Sequence, residues 1–429
     1  MRLTASLAVL AIAMALAAPS LALAQPEAAA PAKKRSFAAA CAKAAFAKNN
    51  PKTCARYAKK KKQQQPAQEE TKQPEQPSRL DLTPEQQAVA IIPGIPDARF
   101  WADSEADFVK ALPAQPGPWL SLSTGGGDGA FGAGLLNGWS ESGKRPAFSV
   151  VLGVSTGALM APYAFIGPSQ DPGLKRAYTE YNAGDIFEDV KTPESLVDTW
   201  PLGRLIAKEV TPELLAQVAE AHKQGRRLFV VTTNLDASRG TVWNMGAIAA
   251  KGDEAALKLF RNILRASTAI PGLFPPVLID VEANGKPAQE MHADGGLAGQ
   301  VFVAPEVMLN SSSTTKLPAT ELYVIANNRL SPEFQMAERQ LIFVLGRSIA
   351  MGVQAMLRVN LDRAYAAARK SGTPFYLSYP ALATDQQGKG VFDSEFMKGL
   401  FEQGVTRGKT GTPFVEDVGE VLRNTAQPK

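Results

Sequence analysis

Phe148-Ser149-Val150-Val151-Leu152-Gly153-Val154-Ser155-Thr156-Gly157 is the stretch on which the fold turns. Residues 148–152 form an apolar run of the kind that makes a strand, and a small-residue helix is expected from Thr156. The junction is a G-x-S-x-G at 153–157, a sharp strand-to-helix turn that exposes a serine hydroxyl. A Cβ at either flanking glycine would collide with that turn. The five-residue pattern is a weak signal by itself; the strand before it and the helix after it supply the context it requires.

The same alternation continues on both sides. Trp119 to Ser123 reads as a strand that ends in a glycine cluster, with a helix from near Ala130. Arg227 to Thr233 and Glu321 to Ala326 read as further strands. Such near-continuous apolar strands suit a sheet covered on both faces by helices, an α/β fold. Ser331-Pro332 offers an N-cap and a first-turn proline, and Gly372 a stop, so a helical stretch of roughly 40 residues is expected, broken at Gly346 or Gly352. Asp393 can cap a last helix whose Phe396, Met397, Leu400 and Phe401 share one face, read as core packing rather than a lipid clasp.

A serine nucleophile needs a base and a group that holds the oxyanion. The chain has only two histidines. His222 lies in a polar helical stretch and is expected at the surface. His292 stands two residues before Asp294-Gly295-Gly296, which in a strand puts both side chains on one face. Two histidines without ligand spacing give no support for metal hydrolysis. Residues 127–132 satisfy G-x-G-x-x-G, a competing nucleotide-binding reading, but no acidic residue ends the next strand and no Lys-Ser/Thr pair follows, so it is not the expected one.

Four blocks stand in a definite order: Thr124-Gly125-Gly126-Gly127-Asp128-Gly129-Ala130, the G-x-S-x-G at 153–157, Arg265 to Pro276, and Asp294-Gly295-Gly296. Over roughly residues 117–300 the chain resembles the patatin-like phospholipases. The resemblance implies a three-layer α/β/α sandwich of the patatin type with additional C-terminal helices. It implies a Ser–Asp dyad without histidine, Ser155 as nucleophile and Asp294 as base, acting on a lipid or phospholipid ester with no cofactor. Asp is a weak base at its usual pKa of about 3.9, so a partly desolvated setting is expected around it. Consecutive glycines let backbone N–H groups converge on a negative oxygen, which assigns Gly125, Gly126 and Gly127 to the oxyanion hole. Gly153 and Gly157 shape the elbow, and Gly295 and Gly296 let the chain turn tightly after the carboxylate. Thr124 stands where the family has its first glycine and Asp128 where it commonly has Arg, which leaves open which amides form the hole. The rival from another class is a non-catalytic lipid-binding or envelope scaffold that keeps the fold.

The ends of the chain differ from its body. Arg2, an apolar run from Leu7 to Ala17 and Ala22-Leu23-Ala24 read as an export signal cleaved before Gln25, with an uncleaved anchor as the alternative. A periplasmic, envelope-associated or secreted location follows. Residues 25–62 hold eleven Lys or Arg and one Glu, a net of +10; with Arg2 removed as well, the total of +5 leaves −6 for residues 63–429. The basic segment at 33–62 could touch an anionic membrane peripherally. It has too few aromatics for stacking, so nucleic acid is not an expected partner. Cys41 and Cys54 are expected to pair in an oxidising compartment, the alternative being two free thiols. The expected division is an export signal at 1–24, a basic Ala/Pro/Lys/Gln-rich segment and linker at 25–80, and an N-terminal extension at 81–116. The catalytic domain follows at 117–307, and C-terminal strands and helices packed on it at 308–429.

Overall fold

The computed structural model describes residues 79–332, 336, 339–380, 392–415 and 417–425. The export signal, the basic segment and the Cys41–Cys54 pairing lie outside the described residues. The described residues belong to one compact unit built on a mixed sheet. Its strands are β1 (Arg99–Trp101), β2 (Pro118–Leu122), β3 (Val150–Val154), β4 (Arg227–Asn234), β5 (Arg239–Asn244), β6 (Val277–Ala283), β7 (Lys286–Asp294), β8 (Glu321–Ile325) and β9 (Phe375–Ser378). The order across the sheet is β1-β5-β4-β3-β2-β8-β9. β4, β3, β2, β8 and β9 run parallel, while β5 and β1 add antiparallel at one edge. The β6–β7 hairpin joins through the end of β7, which pairs with the end of β4.

Successive residues of the central strands feed two separate cores, as the two-residue strand period requires. Val151, Leu228 and Val230 face one core; Val150, Leu152, Val154, Phe229 and Val231 face the other. Each such fully buried side chain contributes roughly 1.5–3 kcal/mol. Helices α1 (Gly129–Glu141), α2 (Thr156–Ile166), α3 (Glu254–Ser267) and α5 (Ser394–Lys409) close the first core; α4 (Leu341–Ser371) closes the second with Leu357, Leu361, Ala364 and Ala368. The result is an α/β/α sandwich, and the strands after residue 307 belong to its sheet rather than to a separate layer.

The serine strand lies two residues later than its apolar run suggested, at Val150–Val154, because pairing with β2 and β4 begins at Val150. The long helix differs more. It begins at Leu341, not after Ser331-Pro332, and runs unbroken to its left-handed Gly372 stop. Gly346 and Gly352 sit inside it, where an added Cβ would meet nothing within 4 Å. Glycine weakens a helix by about 1 kcal/mol per residue, which does not by itself force a break.

On the first face α1 and α5 lie in close contact. A Cβ at Gly134, Gly138, Gly404 or Gly408 would come within 2.4 Å of a backbone carbonyl oxygen of the other helix. Around this seam Met397, Leu400 and Phe401 are buried, as expected of that stripe, whereas Phe396 is only half-buried and lines a groove.

Candidate active site

Two strands meet head to head along one edge of β4. β3 ends with Val154 opposite Val231, and the antiparallel β7 ends with Asp294 opposite Thr232, the next residue of β4. Ser155 and Asp294, 139 positions apart in sequence, therefore face each other, and Ser155 Oγ donates a hydrogen bond of 2.6 Å to Asp294 Oδ2. Both side chains are buried.

Ser155 has φ 55° and ψ −124°. A non-glycine residue in that region is strained by about 1–3 kcal/mol and is held there by its surroundings. One support is Ser267, at the end of α3: its hydroxyl accepts from the Ser155 N–H at 3.0 Å and donates to Val231 O at 2.7 Å. Ser267 lies within the 265–276 block of the sequence, but nothing in the one-dimensional pattern marks it as the brace of the elbow. The flanking glycines are where close approach demands them. A Cβ on Gly153 would meet Gly157 O at 2.5 Å, and one on Gly157 would meet Leu122 C at 2.7 Å.

The Asp294 carboxylate accepts from Ser155 through Oδ2 and from the Gly296 N–H through Oδ1 at 2.7 Å. Burial pushes its pKa up to about 6, against the downward pull of those two hydrogen bonds. A carboxyl so placed is a far better base near neutral pH than an ordinary Asp, yet remains ionised there. Gly295 follows with no room for a side chain, since its Cβ would approach Val154 Cγ1 at 3.0 Å.

The glycine cluster leaves β2 beside this pair. Gly126 has φ 54°, and Gly126–Asp128 form a single 3-10 turn that leads into α1. None of the described hydrogen bonds uses the N–H of Gly125, Gly126 or Gly127, while the Asp128 N–H is taken by Gly125 O at 3.0 Å. Two residues that the sequence did not single out hold the loop. After β8, the Asn327 side-chain amide donates to Ser123 O at 2.9 Å, and that of Asn328 to Thr124 O at 3.1 Å. Thr124 hydrogen-bonds to Gln300 through its hydroxyl and through its N–H, the latter at 2.9 Å to Gln300 O. The departure from glycine at 124 thus serves as an anchor.

Two cavities open from the loop. A groove of about 680 Å³ runs from Gly125–Asp128 to α4, and an apolar cavity of about 80 Å³ runs from Gly126 and Thr156 towards Leu202 and Ile206. Gly126, Phe392 and Met397 border both.

Neither histidine reaches the serine. His292 is buried, with Nδ1 2.9 Å from Thr232 Oγ1 and Nε2 3.1 Å from Glu290 Oε2. Burial lowers its pKa despite the opposing pull of Glu290, and the ring bridges Thr232 and Glu290. His222, expected at the surface, is instead half-buried against Gly246 in a different groove, with Nδ1 shut from solvent.

Residues 120–305 match the model of the family described as patatin-like phospholipase. The chain carries a domain of that family, and with it the α/β/α fold and support for a lipid-hydrolysing enzyme. No curated protein sequence matches the chain. Among solved structures it is similar to VipD from Legionella pneumophila, with 11% identity, 70% of this chain and 68% of that chain covered, and a TM-score of 0.35. It is also similar to the type III effector protein ExoU, with 14% identity, 72% and 57% covered, and a TM-score of 0.21. At these values the assignment rests on the family match.

Proposed function

We propose that the chain hydrolyses carboxylic ester bonds of lipids, phospholipid or lysophospholipid, with Ser155 and Asp294 as a catalytic dyad. The observation that carries this reading is the 2.6 Å hydrogen bond from the strained serine to a carboxylate whose pKa is raised. Ser155 Oγ attacks the ester carbonyl while its proton passes to Asp294 Oδ2. The oxyanion so formed is met by N–H groups of the Gly125–Gly127 loop; losing one such donor costs on the order of 3 kcal/mol in other hydrolases. Asp294 then returns the proton to the departing alcohol, leaving an acyl group on Ser155. Water attacks that ester, its proton going to Asp294, and the fatty acid leaves as the proton returns to Ser155.

The proposal extends to an exported enzyme, on the strength of residues 1–24, whose basic segment at 33–62 touches anionic membrane. The test is labelling with a fluorophosphonate ester. Covalent modification at Ser155, lost in Ser155→Ala, is expected. A folded protein that resists the reagent would instead favour a scaffold without catalysis. Activity retained in Asp294→Asn but lost in His292→Ala would refute the dyad.

A further inference from the structure

The two halves of α4 obey different rules on the same outward face. Its inward face is buried in the second core from Leu357 onward, through Leu357, Leu361, Ala364 and Ala368, whereas no described side chain of α4 before Leu357 is buried. At 100° per residue the opposite face should be polar. In the second half it is: Asp362, Arg363, Arg369 and Lys370 lie there. From residue 344 to residue 359 the same face holds Val344, Ile349, Met351, Met356 and Val359, each between 40% and 60% exposed. An apolar stripe on the solvent side of a surface helix signals a partner.

Three observations say which one. First, the stripe is continuous with the groove that starts at the glycine loop, because Met351 belongs to both. Second, the stretch of α4 that carries the stripe, residues 341–361, holds Arg347 and Arg358 and no acidic residue, although residues 63–429 as a whole are net negative. Arg347 and Arg358 line the groove on the side of the stripe, while Asp128 and Asp393 line it on the side of the glycine loop. Third, no described helix is long and apolar enough to cross a membrane. Apolar residues flanked by arginines on a helix that cannot span are the pattern of a segment lying in the interface of an anionic bilayer.

We propose that the 344–359 stretch of α4 seats on the surface of an anionic phospholipid bilayer, with Val344, Ile349, Met356 and Val359 in the acyl boundary and the groove mouth opening onto the lipid. The proposal rests on the lipid-hydrolase reading for its purpose, but not for its test. Binding is measured on the full chain carrying Ser155→Ala, by co-sedimentation with vesicles of phosphatidylcholine and phosphatidylglycerol. Adding Val344→Asp, Ile349→Asp and Val359→Asp is expected to weaken partitioning about tenfold or more. In the active protein the same changes should leave turnover of a soluble short-chain ester within about twofold, since these side chains lie outside the groove.

A control with Val89→Asp, Val109→Asp and Leu278→Asp, equally charged and also exposed, should bind as the parent does. Equal loss in that control would overturn the proposal, because only net charge would then be read. Wild-type binding by a triple Gln variant at 344, 349 and 359 would overturn it too. So would unchanged vesicle binding together with a dimer, seen by sedimentation velocity, that the triple Asp variant dissolves. Absence of esterase activity with vesicle binding intact would count against the dyad and leave the docking surface standing.

Discussion

Glu290 and Asp294 sit four residues apart on the same strand, point to the same face and are both shut from solvent. Their carboxyls are driven in opposite directions. Burial would raise both, but at Glu290 the hydrogen bonds and charge of Arg99, with those of His292, outweigh it and hold the pKa down to about 2. Among the described residues Asp294 has only a hydroxyl and a backbone N–H as partners, so burial prevails and its pKa rises to about 6. Burial sets the stakes for a carboxylate, and the charge of its partner decides whether it becomes a structural anion or a base.

The sharpest way to break this contrast is Asp294→Asn, which keeps the shape and removes the proposed base. Ester turnover is expected to fall by about 10³-fold or more. Because the folded-state pKa of Asp294 lies above its unfolded value, its ionisation opposes folding above about pH 6, and this penalty fades as pH falls towards 4. Asp294→Asn should therefore raise the melting temperature at pH 8 and leave it nearly unchanged at pH 4. Next in size is Glu290→Gln, which strands the Arg99 guanidinium at a site only 10% exposed. Denaturant titration should show a loss of about 3–5 kcal/mol, with activity per folded molecule retained. The sign of the pH dependence is reversed here: the stabilisation is present above about pH 4.5 and is lost as pH falls towards 2.

The contrast is sharpened by the pH profile of kcat/KM, which should rise through about pH 6 and then level, as a base of that pKa requires. A profile already flat at pH 4 would mean that Asp294 is not the titrating group. The smallest effect is expected for Ser267→Ala. It leaves the Ser155 N–H without its acceptor and should cost about 1–3 kcal/mol of stability, together with a lower kcat.

Much of this was legible in the chain. The elbow, the glycine cluster and Asp294 declare themselves because each needs residue types that have few other uses. β2, β3, β4 and β8 were visible as apolar runs, since both of their faces are buried. β7 was not, because Lys286-Pro287-Ala288-Gln289-Glu290 has no strand propensity and is held by pairing with β6. A local clue was present in Asn284-Gly285, both at positive φ between Ala283 and Lys286, a two-residue hairpin turn. Ser267, Asn327 and Asn328 could not be read from sequence, because their roles exist only once distant strand ends are adjacent. The long helix misled through Ser331-Pro332, since its own start is at Leu341.

The seam of glycines between α1 and α5 carries a lesson about boundaries. The segment recognisable by its sequence stops at residue 305, yet the helix that grips the outgoing end of the glycine loop is drawn from residues 394–409. What is diagnostic of kinship and what is mechanically required for the site are thus different lengths of polypeptide. Any minimal version of this enzyme must be cut by the second measure.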